Sequence, residues 1–471
     1  MKVLVLINSA PRYKLFYSNL ADALERVGCE VFFAVDARRS AVLEPLDKVD
    51  KGAGTYFFDD FFKKNYAESS FEGGDNVTWG EAFFSDFDRF LSHGFNLEKP
   101  PEYWKRVKHC LDAFFDNLVR DESIDFVLYE NVSNSFAYSA FRSARRNGIK
   151  YIGLMASRIP GRFEIQTSVI DDETRKISDM VGEDATQEEN EWYETYRKSI
   201  LNTSPDYMSY NNLGNVDLSR LLAKDKLRYV CRLVKAHFST DSFYDYQFGK
   251  PLGAIFKGMK VNVKRKINFF FERRFFCSNE EIERLSLEEE FFVYPIHFHP
   301  ESSTSVLAPE YTDEFNNVLN IANNLPFGVM LYVKEHKSAI GVQAPSVYKK
   351  ISALPNVRFV DPSYNIKDLI VKSKGLITVN STAGFEAAVL GKPVNLLGRV
   401  FYEDFPNVNK LKGFSDIKNI SSGQDDVDCR QHVVAYYRYT HEGHLRIDKS
   451  AELDQHVYDD FASKVMDVVN A

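Results

Sequence analysis

The chain has 471 residues, which exceeds one ordinary domain and predicts at least two. Its net charge of −8 argues against nucleic acid as a partner of the whole protein, and 44% hydrophobic residues are enough for substantial cores. Five cysteines without a CxxC pair exclude a disulfide framework and a zinc ribbon, so we expect a reducing compartment. Because no signal peptide or run of 18 apolar residues is recognised, the predicted location is cytoplasmic.

The first third of the chain alternates strand and helix patterns. "KVLVLI" at residues 2–7 is a continuous apolar run, typical of a strand buried on both faces of a parallel sheet. A helix from about Lys14 to Val27 follows, with Gly28 just past its end, and "CEVFFAVD" and "DFVLY" predict further strands. Residues 40–100, with "TYFFDDFF" and "EGGDN", read as a loop-bearing insertion. The pattern predicts a doubly wound N-terminal domain over residues 1–170.

Residues 171–285 differ in character, because charged residues, Tyr and Phe replace the buried-strand runs. We predict a mainly helical insertion or interdomain segment. Within it, residues 256–276 read "FKGMKVNVKRKINFFFERRFF", with seven Lys or Arg against one Glu and with Phe interleaved. This composition fits peripheral contact with an anionic membrane surface, and it equally fits a solvated helix whose Phe side chains enter a core.

The βα order returns after residue 286. Strands are predicted at "EFFVYPIHF", "FGVMLYVKEH", "VRFV", "GLITVN" and "PVNLLG", with helices between them, so residues 286–425 form a second Rossmann-like domain. Residues 426–471 are predicted to be a helical, acidic tail. The expected fold is therefore α/β and GT-B-like, with two Rossmann-like domains, a helical insertion and a C-terminal helical tail.

Three of the predicted C-terminal strands end in polar side chains, at the sheet edge where open α/β folds bind ligands. The first end is "HFHPESST", in which His297 and His299 have a spacing compatible with a metal ion, but no third ligand is near, and no metal is expected. Glu301 lies just past this strand. Its carboxylate suits a nucleophile, a base or an acceptor for a sugar hydroxyl, and a turn or helix cap is the structural alternative.

The second strand end is "YVKEHK", where the cation of Lys334 and the imidazole of His336 suit a phosphate group, although this motif taken alone favours a structural role. Because the carboxyl ends of parallel strands share one sheet edge, these side chains are expected near Glu301.

The third strand end is "VNSTAGFEAAVLGKPV". Asn380, Ser381 and Thr382 lead into a helix whose N-terminus attracts anions, Gly384 allows close approach, and Glu386 lies where it can reach a ribose diol. A plain helix cap explains the same letters. Together, the three strand ends predict a site for a nucleotide phosphate ester.

The ordered motifs "YPIHFHPESST", "LPFGVMLYVKEHK", "PNVRFVDPS" and "VNSTAGFEAAVLGKPVNLLGRVFY" over residues 291–405 resemble the capsular polysaccharide synthesis family. That family includes GT-B glycosyltransferases that transfer Kdo from CMP-Kdo. The resemblance implies that Glu301 takes the position of the family's catalytic Asp, the expected nucleophile of the retaining β-Kdo transferases. The Glu, with Pro300 before it, is a departure from that pattern.

The resemblance also implies roles for the other strand ends. His336 corresponds to the family's His-Pro motif, with Lys337 in place of the proline, and is expected to bind the donor phosphate and help CMP leave. Ser381 and Thr382 match a phosphate-binding hydroxyl pair, and Glu386 matches a nucleotide-contacting glutamate. His297 and His299 become candidate donors to the carboxylate of the substrate itself. No metal or other cofactor is expected beyond the CMP-linked donor.

The predicted function is transfer of an acidic sugar, Kdo first, from a CMP-activated donor to a glycan or glycolipid acceptor in bacterial surface polysaccharide synthesis. The alternatives are another nucleotide-sugar or CDP-alcohol transferase on the same scaffold, and a non-catalytic capsule assembly or export factor. The acceptor is expected at loops of the N-terminal domain, which carry Asn8, Arg12, Glu130, Arg158 and Arg162.

Overall fold

The fold is that of a computed structural model, which describes residues 1–10, 12–66, 77–83, 86–87, 99–169, 171–205, 224–238, 246–247, 249–420 and 426–471. The described strands form two seven-stranded sheets, each with helices on both faces. The expected "EGGDN" loop lies outside the described residues. None of the described helices combines the length and apolarity needed to cross a bilayer.

The N-terminal sheet has the strand order β3-β2-β1-β4-β5-β6-β14. Neighbours from β3 to β5 are parallel, β6 is antiparallel to β5, and β14 is antiparallel to β6. The central strands are apolar runs that the two helical layers bury completely, as the sequence predicts. The strands are β1 (Lys2–Ile7), β2 (Glu30–Val35), β3 (Thr55–Phe57), β4 (Phe126–Glu130), β5 (Lys150–Ala156), β6 (Arg162–Gln166) and β14 (His441–Glu442).

The helices of this half connect its parallel strands. The first of them is followed by Gly28 at φ +92°, a left-handed conformation that favours glycine after a helix end. The segment "TYFFDDFF", expected in a loop-bearing insertion, instead supplies β3 and the helix after it, because its aromatic side chains fill the core beside β2. The helices are α1 (Tyr13–Arg26), α2 (Arg39–Leu43), α3 (Asp47–Asp50), α4 (Phe58–Asn65), α5 (Pro101–Asp121) and α6 (Ser135–Arg146).

The C-terminal sheet is parallel throughout, in the order β13-β12-β11-β8-β9-β10-β7. In the N-terminal sheet the chain starts at the central strand β1, builds β2 and β3 on one side, and then reverses to build β4 and β5 on the other. In the C-terminal sheet β7 lies at the edge, and the chain from the central strand β8 builds β9 and β10 on the side of β7 before it reverses to β11, β12 and β13. The reversal falls between β1 and β4 and between β8 and β11, and such switch points leave a crevice at the carboxyl ends of the strands. The strands are β7 (Phe276–Cys277), β8 (Phe291–Pro295), β9 (Met330–Lys334), β10 (Val357–Val360), β11 (Leu376–Thr378), β12 (Val394–Leu396) and β13 (Val408–Lys410).

Four described helices lie between β6 and β7 in sequence: α7 (Asp171–Asp179), α8 (Gln187–Ser199), α9 (Lys224–His237) and α10 (Pro251–Glu272). A fifth, α11 (Asn279–Glu288), follows β7. Apolar side chains of α7, α8 and α11 join one core of the C-terminal sheet, whereas α9 and α10 pack against each other. The helices of the C-terminal half are α12 (Ser302–Ser305), α13 (Glu314–Asn324), α14 (Pro345–Ile351), α15 (Ile366–Lys372), α16 (Thr382–Val389), α17 (Arg430–Tyr439) and α18 (Gln455–Asn470).

Residues 426–471 divide between the two halves and do not form one separate helical tail. In α17, Tyr436 stacks on Phe401 in the C-terminal core, with 4.1 Å between ring centroids. The chain then crosses back, β14 adds to the N-terminal sheet, and Phe461 of α18 packs edge-on against Phe163 of β6. Two cores therefore depend on this last segment, and the two sheets are joined by it as well as by the helical insertion.

Candidate functional site

Two adjoining cavities occupy the crevice between the carboxyl edges of the two sheets. Their volumes are about 630 Å³ and 300 Å³. The larger faces the β1–β4 switch point and the smaller extends toward β5, β6 and Phe401. Four residues line both cavities: Tyr13, Asn131, Glu301 and Ser302.

Glu301 lies at the boundary of these cavities, immediately before α12. Its backbone carbonyl caps that short helix by accepting hydrogen bonds from Ser305, at 3.0 Å from the amide nitrogen and 2.7 Å from Oγ. Its side chain does not cap the helix, and the described residues provide no hydrogen-bond or ion-pair partner for its carboxylate. The structure therefore leaves an exposed carboxylate available to a ligand.

The other carboxylates that line the cavities are held by the protein. Asp36 accepts from the Ser9 amide, Glu44 from the Arg12 amide and Glu130 from the Ser133 hydroxyl. In the smaller cavity, Glu164 accepts from Tyr436 and Glu173 accepts from the backbone of Thr167. Among the carboxylates in the two linings, Glu301 is thus distinguished by having no partner in the described part of the chain.

The Glu301 loop, residues 300–305, is anchored from both halves of the molecule. Asn131, after β4, donates from Nδ2 to Oγ of Ser302 at 3.1 Å. Asn380, after β11, donates from Nδ2 to the carbonyl of Ser303. Asn380 is almost fully buried, so its predicted role as a direct substrate contact becomes, in this geometry, that of a positioning residue.

His297 and His299 lie behind the Glu301 loop and are directed at Glu314 on α13. Nδ1 of His297 is 3.0 Å and Nε2 of His299 is 3.3 Å from Oε1 of Glu314, and the Tyr294 hydroxyl donates to Oε2 at 2.6 Å. Nε2 of His297 accepts from the Asn380 amide at 3.4 Å. The histidine N–H groups that were predicted to bind the carboxylate of the substrate therefore donate to the carboxylate of Glu314.

The two histidines set the ionisation of Glu314. Burial acts to raise its pKa, but the interactions with His297, followed by those with His299, outweigh burial and lower the pKa to about 2. The resulting buried carboxylate holds both histidines in place beneath Asn380 and the Glu301 loop. Among the described residues, no group of three or more His, Cys, Asp or Glu side chains is arranged for a metal ion.

His336 follows β9 as a half-buried neutral imidazole. Its Nδ1 accepts from the Ser338 amide at 3.1 Å, so Nε2 carries the proton. Burial, followed by the proximity of His297 and Lys334, lowers its pKa to about 4. The side chain is therefore a neutral donor near pH 7, and it lies outside the linings of both cavities.

Lys334 does not present its ammonium group to the crevice. Nζ donates to the carbonyls of Glu335 at 3.1 Å and Pro362 at 2.9 Å, and the side chain is buried. Burial is the largest cause that lowers its pKa, to about 8. The structure does not show Lys334 in the predicted position for a phosphate contact, because its ammonium group already donates to two backbone carbonyls.

Ser381 forms the N-cap of α16, as the capping alternative predicts. Its Oγ accepts from the Gly384 amide at 3.3 Å and from Oγ1 of Thr378 at 2.9 Å, and Thr382 begins the helix. The space left by the missing side chain of Gly384 is filled by Tyr402 of the protein. A Cβ there would lie 2.2 Å from the hydroxyl of Tyr402, which donates to the Ser381 carbonyl at 2.7 Å.

Glu386, predicted to contact the nucleotide, is buried in an ion pair with Lys367 of α15, at 3.0 Å. Burial raises its pKa, and Lys367 opposes that rise. The Lys367 ammonium also donates to the carbonyl of Ile200 at 2.6 Å, which ties α15 and α16 to the helical insertion. The pair supports the site from behind and does not line either cavity.

The predicted acceptor residues separate into two groups. Asn8 and Glu130 line the larger cavity and Arg158 lines the smaller one, where its guanidinium lies 6.0 Å from the Phe401 ring centroid. Arg12 and Arg162 are directed elsewhere. Arg12 donates to the Asp448 carbonyl, and Arg162 donates to Oγ1 of Thr440 at 2.7 Å, so both hold the returning C-terminal segment.

Four residues of this arrangement escaped sequence reasoning: Asn131, Glu314, Glu335 and Lys367. Asn131 follows a predicted strand, so strand-end position was a signal for it. Glu335 stands between two residues that the motif "YVKEHK" singled out. Glu314 looks like an ordinary acidic residue in a first helical turn, and nothing in the local sequence marks Lys367.

Comparison with known sequences finds a family match in the C-terminal half. Residues 219–415 match the sequence model of the family described as "Capsule polysaccharide biosynthesis protein". The match contains the Glu301 loop, His336 and the start of α16, and it confirms the resemblance predicted from the motifs between residues 291 and 405. No curated protein matches the chain.

Two β-Kdo transferases and several UDP-GlcNAc 2-epimerases are among the solved structures similar to this chain. The β-Kdo 2,4 transferase KpsC of Thermosulfurimonas dismutans is 15% identical, with 67% of this chain and 79% of that chain covered and a TM-score of 0.35. Its β-Kdo 2,7 transferase is 12% identical, with 68% and 78% covered and a TM-score of 0.33. A UDP-GlcNAc 2-epimerase of Neisseria meningitidis is 13% identical, with 99% and 98% covered and a TM-score of 0.29. Because these TM-scores are low, the GT-B-like architecture is inferred from the strand order of the two sheets.

Proposed function

We propose that the protein is a glycosyltransferase of surface polysaccharide synthesis, and that it transfers an acidic sugar, Kdo as the first candidate, from a CMP-linked donor. The match of residues 219–415 to the capsule polysaccharide biosynthesis family supports the biosynthetic setting. The sequence resemblance supports the cytidine donor. The acceptor in this proposal is a glycan or glycolipid that enters the crevice from the N-terminal half.

The observation that carries the proposal is the carboxylate of Glu301, which has no partner in the described residues although it lines both cavities. An exposed carboxylate in a crevice between two domains fits a double displacement. In the first step, an Oε atom of Glu301 forms a bond to the anomeric carbon, and the bond from that carbon to the CMP phosphate oxygen breaks with both electrons leaving on CMP. In the second, an acceptor hydroxyl displaces Glu301, and its proton passes to a base in the larger cavity.

The proposed leaving group needs stabilisation as negative charge builds on its phosphate. The dipole of α16, the hydroxyls at Ser381 and Thr382, and the neutral Nε2–H of His336 are the groups proposed for this task. Because a CMP ester is already a good leaving group, the proposal requires no divalent metal. Turnover that persists in excess EDTA is the expected result, and restoration of lost turnover by Mg²⁺ would overturn this part.

The direct test compares Glu301→Gln with Glu310→Gln, an identical change at an exposed glutamate outside both cavities. With CMP-Kdo, E301Q is expected to lose turnover by about 10³-fold while it still binds CMP, whereas E310Q keeps both. A glycosyl adduct on Glu301, detected by mass spectrometry of the intact protein, separates a nucleophile from a base. Wild-type protein without turnover on any CMP-, CDP- or UDP-linked donor would favour the non-catalytic alternative.

The nucleotide is tested separately by thermal stability. CMP is expected to raise the melting temperature more than UMP or GMP, because the proposed donor is a cytidine nucleotide. Equal shifts with all three nucleotides, or no shift, would remove the donor assignment. A larger shift with CDP-linked alcohols than with CMP would favour the related transferase on the same scaffold.

A further inference from the structure

One side of helix α10 carries apolar side chains that point away from the protein. Six of them lie at positions that fall within about a third of the helix circumference at 3.6 residues per turn. All are exposed, and Phe256 and Phe270 reach 64% and 70%. This apolar stripe consists of Phe256, Met259, Val263, Ile267, Phe270 and Phe271. Because these six side chains are exposed, they do not lie in a core, although Phe275 and Phe276 beyond the helix end do pack against one.

Polar side chains on the opposite side of α10 bond to the rest of the protein. Arg265 donates from Nε to the Ile340 carbonyl at 2.7 Å, and Asn268 donates to the Gly341 carbonyl at 3.1 Å. Glu272 accepts from the Gly341 amide at 2.7 Å. A surface helix of a globular protein normally has the reverse arrangement, with its apolar face inward. The rotational setting of α10 is therefore fixed by polar contacts that turn the apolar stripe to the outside.

Gly341 makes this docking close. A Cβ at this position would lie 2.1 Å from the carbonyl oxygen of Arg265, and the residue has φ +76°. The backbone of α10 thus packs directly onto residues 338–341, which follow His336. Because the contact is short and made by several hydrogen bonds, the outward setting of the apolar stripe is a built feature of the fold.

Basic side chains border the stripe. Lys257, Lys260 and Lys264 lie along one side and Lys266 along the other, and residues 251–271 contain no acidic residue. The whole chain, in contrast, carries a net charge of −8. An apolar helix face bordered by cations has the chemistry of a helix that lies in the interface of an anionic bilayer, with apolar groups among acyl chains and lysines at phosphates.

We propose that α10 docks the protein on the surface of an anionic phospholipid bilayer through its apolar stripe and bordering lysines. A lipid surface is favoured over a second copy of this chain because the cations meet complementary charge on lipid headgroups, whereas a symmetric contact would place like charges together. The docking needs no donor or acceptor sugar, so its test is independent of the proposed enzymatic function.

The test uses the full-length protein with vesicles of phosphatidylcholine alone or with about one third phosphatidylglycerol, in low and high salt. The protein is expected to co-sediment with the anionic vesicles in low salt and to be released as salt screens the lysines. It is expected to remain in solution with phosphatidylcholine alone. Failure to co-sediment at low salt, or equal binding to both vesicle types, would overturn the proposal.

Matched variants localise the contact. Lys260→Glu with Lys264→Glu is compared with Lys63→Glu and Lys64→Glu, an equal change of charge on α4. The first pair is expected to weaken binding to anionic vesicles by about tenfold or more, and the second pair to leave binding close to that of the wild type.

Phe270→Ser is compared with Phe327→Ser, which replaces a fully exposed phenylalanine before β9. F270S is expected to weaken vesicle binding by roughly fivefold or more, while F327S binds as the wild type does. Wild-type binding by F270S would overturn the proposal. So would a stable dimer, seen by light scattering, that F270S dissociates while vesicles bind neither protein, because a second copy would then cover the stripe.

Discussion

Asn131 donates a hydrogen bond across the crevice to Ser302, with 3.1 Å between Nδ2 and Oγ. Asn131 follows β4 of the N-terminal sheet, and Ser302 begins α12 beside Glu301 of the C-terminal half. The bond therefore joins the two halves at the point where the proposed catalytic carboxylate lies. The Glu301 loop is therefore anchored by a residue of each half.

Removal of this bond is expected to affect turnover more than substrate binding. Asn131→Ala and Ser302→Ala should each destabilise the protein by about 1 kcal/mol and lower kcat, because the Glu301 loop loses one of its two anchors. A double-mutant cycle in unfolding free energy should give a coupling of about 0.5–1.5 kcal/mol. Strict additivity, with kcat unchanged in both single variants, would contradict this reading.

His336 is expected to act through a neutral N–H. The bond from the Ser338 amide to Nδ1 places the proton on Nε2, and the pKa of about 4 keeps the ring neutral above pH 5. His336→Asn preserves the acceptor at the δ position but removes the donor, so kcat should fall about 10²-fold. His336→Gln places an amide N–H near the ε position and should retain more activity than H336N. A higher activity of H336N would show that the cap matters and the donor does not.

Glu314 is predicted to be a determinant of stability through the three groups that it accepts from. Glu314→Gln leaves Tyr294, His297 and His299 with one carbonyl acceptor and a competing amide donor in a buried place. The expected cost in unfolding free energy is about 3 kcal/mol. Asp313→Asn is the matched control, because Asn caps a helix as well as Asp and should change stability by less than about 0.5 kcal/mol. Equal effects would contradict the specific role of Glu314.

The sequence predicts the strands that surround the site, because a strand buried on both faces is recognisable from its own residues as a continuous apolar run. "KVLVLI" and "GLITVN" became β1 and β11, which border the two switch points, and the polar residues Asn8 and Ser9 after β1 line the larger cavity. The doubly wound order follows from such runs and the helices between them. Glu301 was identified on strand-end position and family resemblance, and the structure leaves its carboxylate open.

The supporting contacts could not be predicted from the same patterns. Glu314 lies 17 positions after His297, and only the packing of α13 against β8 brings them within a hydrogen bond. Lys367 and Glu386 meet because α15 and α16 are neighbours across the sheet. The letters around Arg162 likewise do not reveal that the last segment of the chain returns to the N-terminal sheet. The direction of a side chain and the return of a distant segment to a sheet both depend on tertiary packing. The periodicity of a strand carries no information on either.

Glu335 is predicted to give the protein a pH-dependent stability. Burial raises its pKa from 4.5 to about 7, against the hydrogen bond from Tyr348. Because the folded pKa lies above the unfolded one, the folded state holds an extra proton between about pH 4.5 and 7, and stability is lost as pH rises through that window. Relative to Glu335→Gln, the wild type should lose roughly 3 kcal/mol of unfolding free energy by pH 8.

The measurement is chemical denaturation of the wild type and E335Q between pH 5 and 8. Glu310→Gln serves as the control, because that glutamate is exposed and its replacement should leave the pH profile of the wild type unchanged. Parallel profiles for the wild type and E335Q would refute the assignment of the pH dependence to Glu335.

Gly384 is expected to be required because of Tyr402. In Gly384→Ala the new Cβ would lie 2.2 Å from the Tyr402 hydroxyl and 2.9 Å from its ring carbon, so the tyrosine must move and lose its bond to the Ser381 carbonyl. The expected loss is about 2 kcal/mol of unfolding free energy, together with weaker CMP binding, since Ser381 caps the helix proposed to hold the phosphate. Gly413→Ala is the control, because no atom lies within 4 Å of a Cβ at that position and its backbone is extended. Tyr402→Phe removes the atom in closest conflict and should recover part of the stability of G384A; a further loss in the double variant would show that the hydroxyl is not the source of the strain.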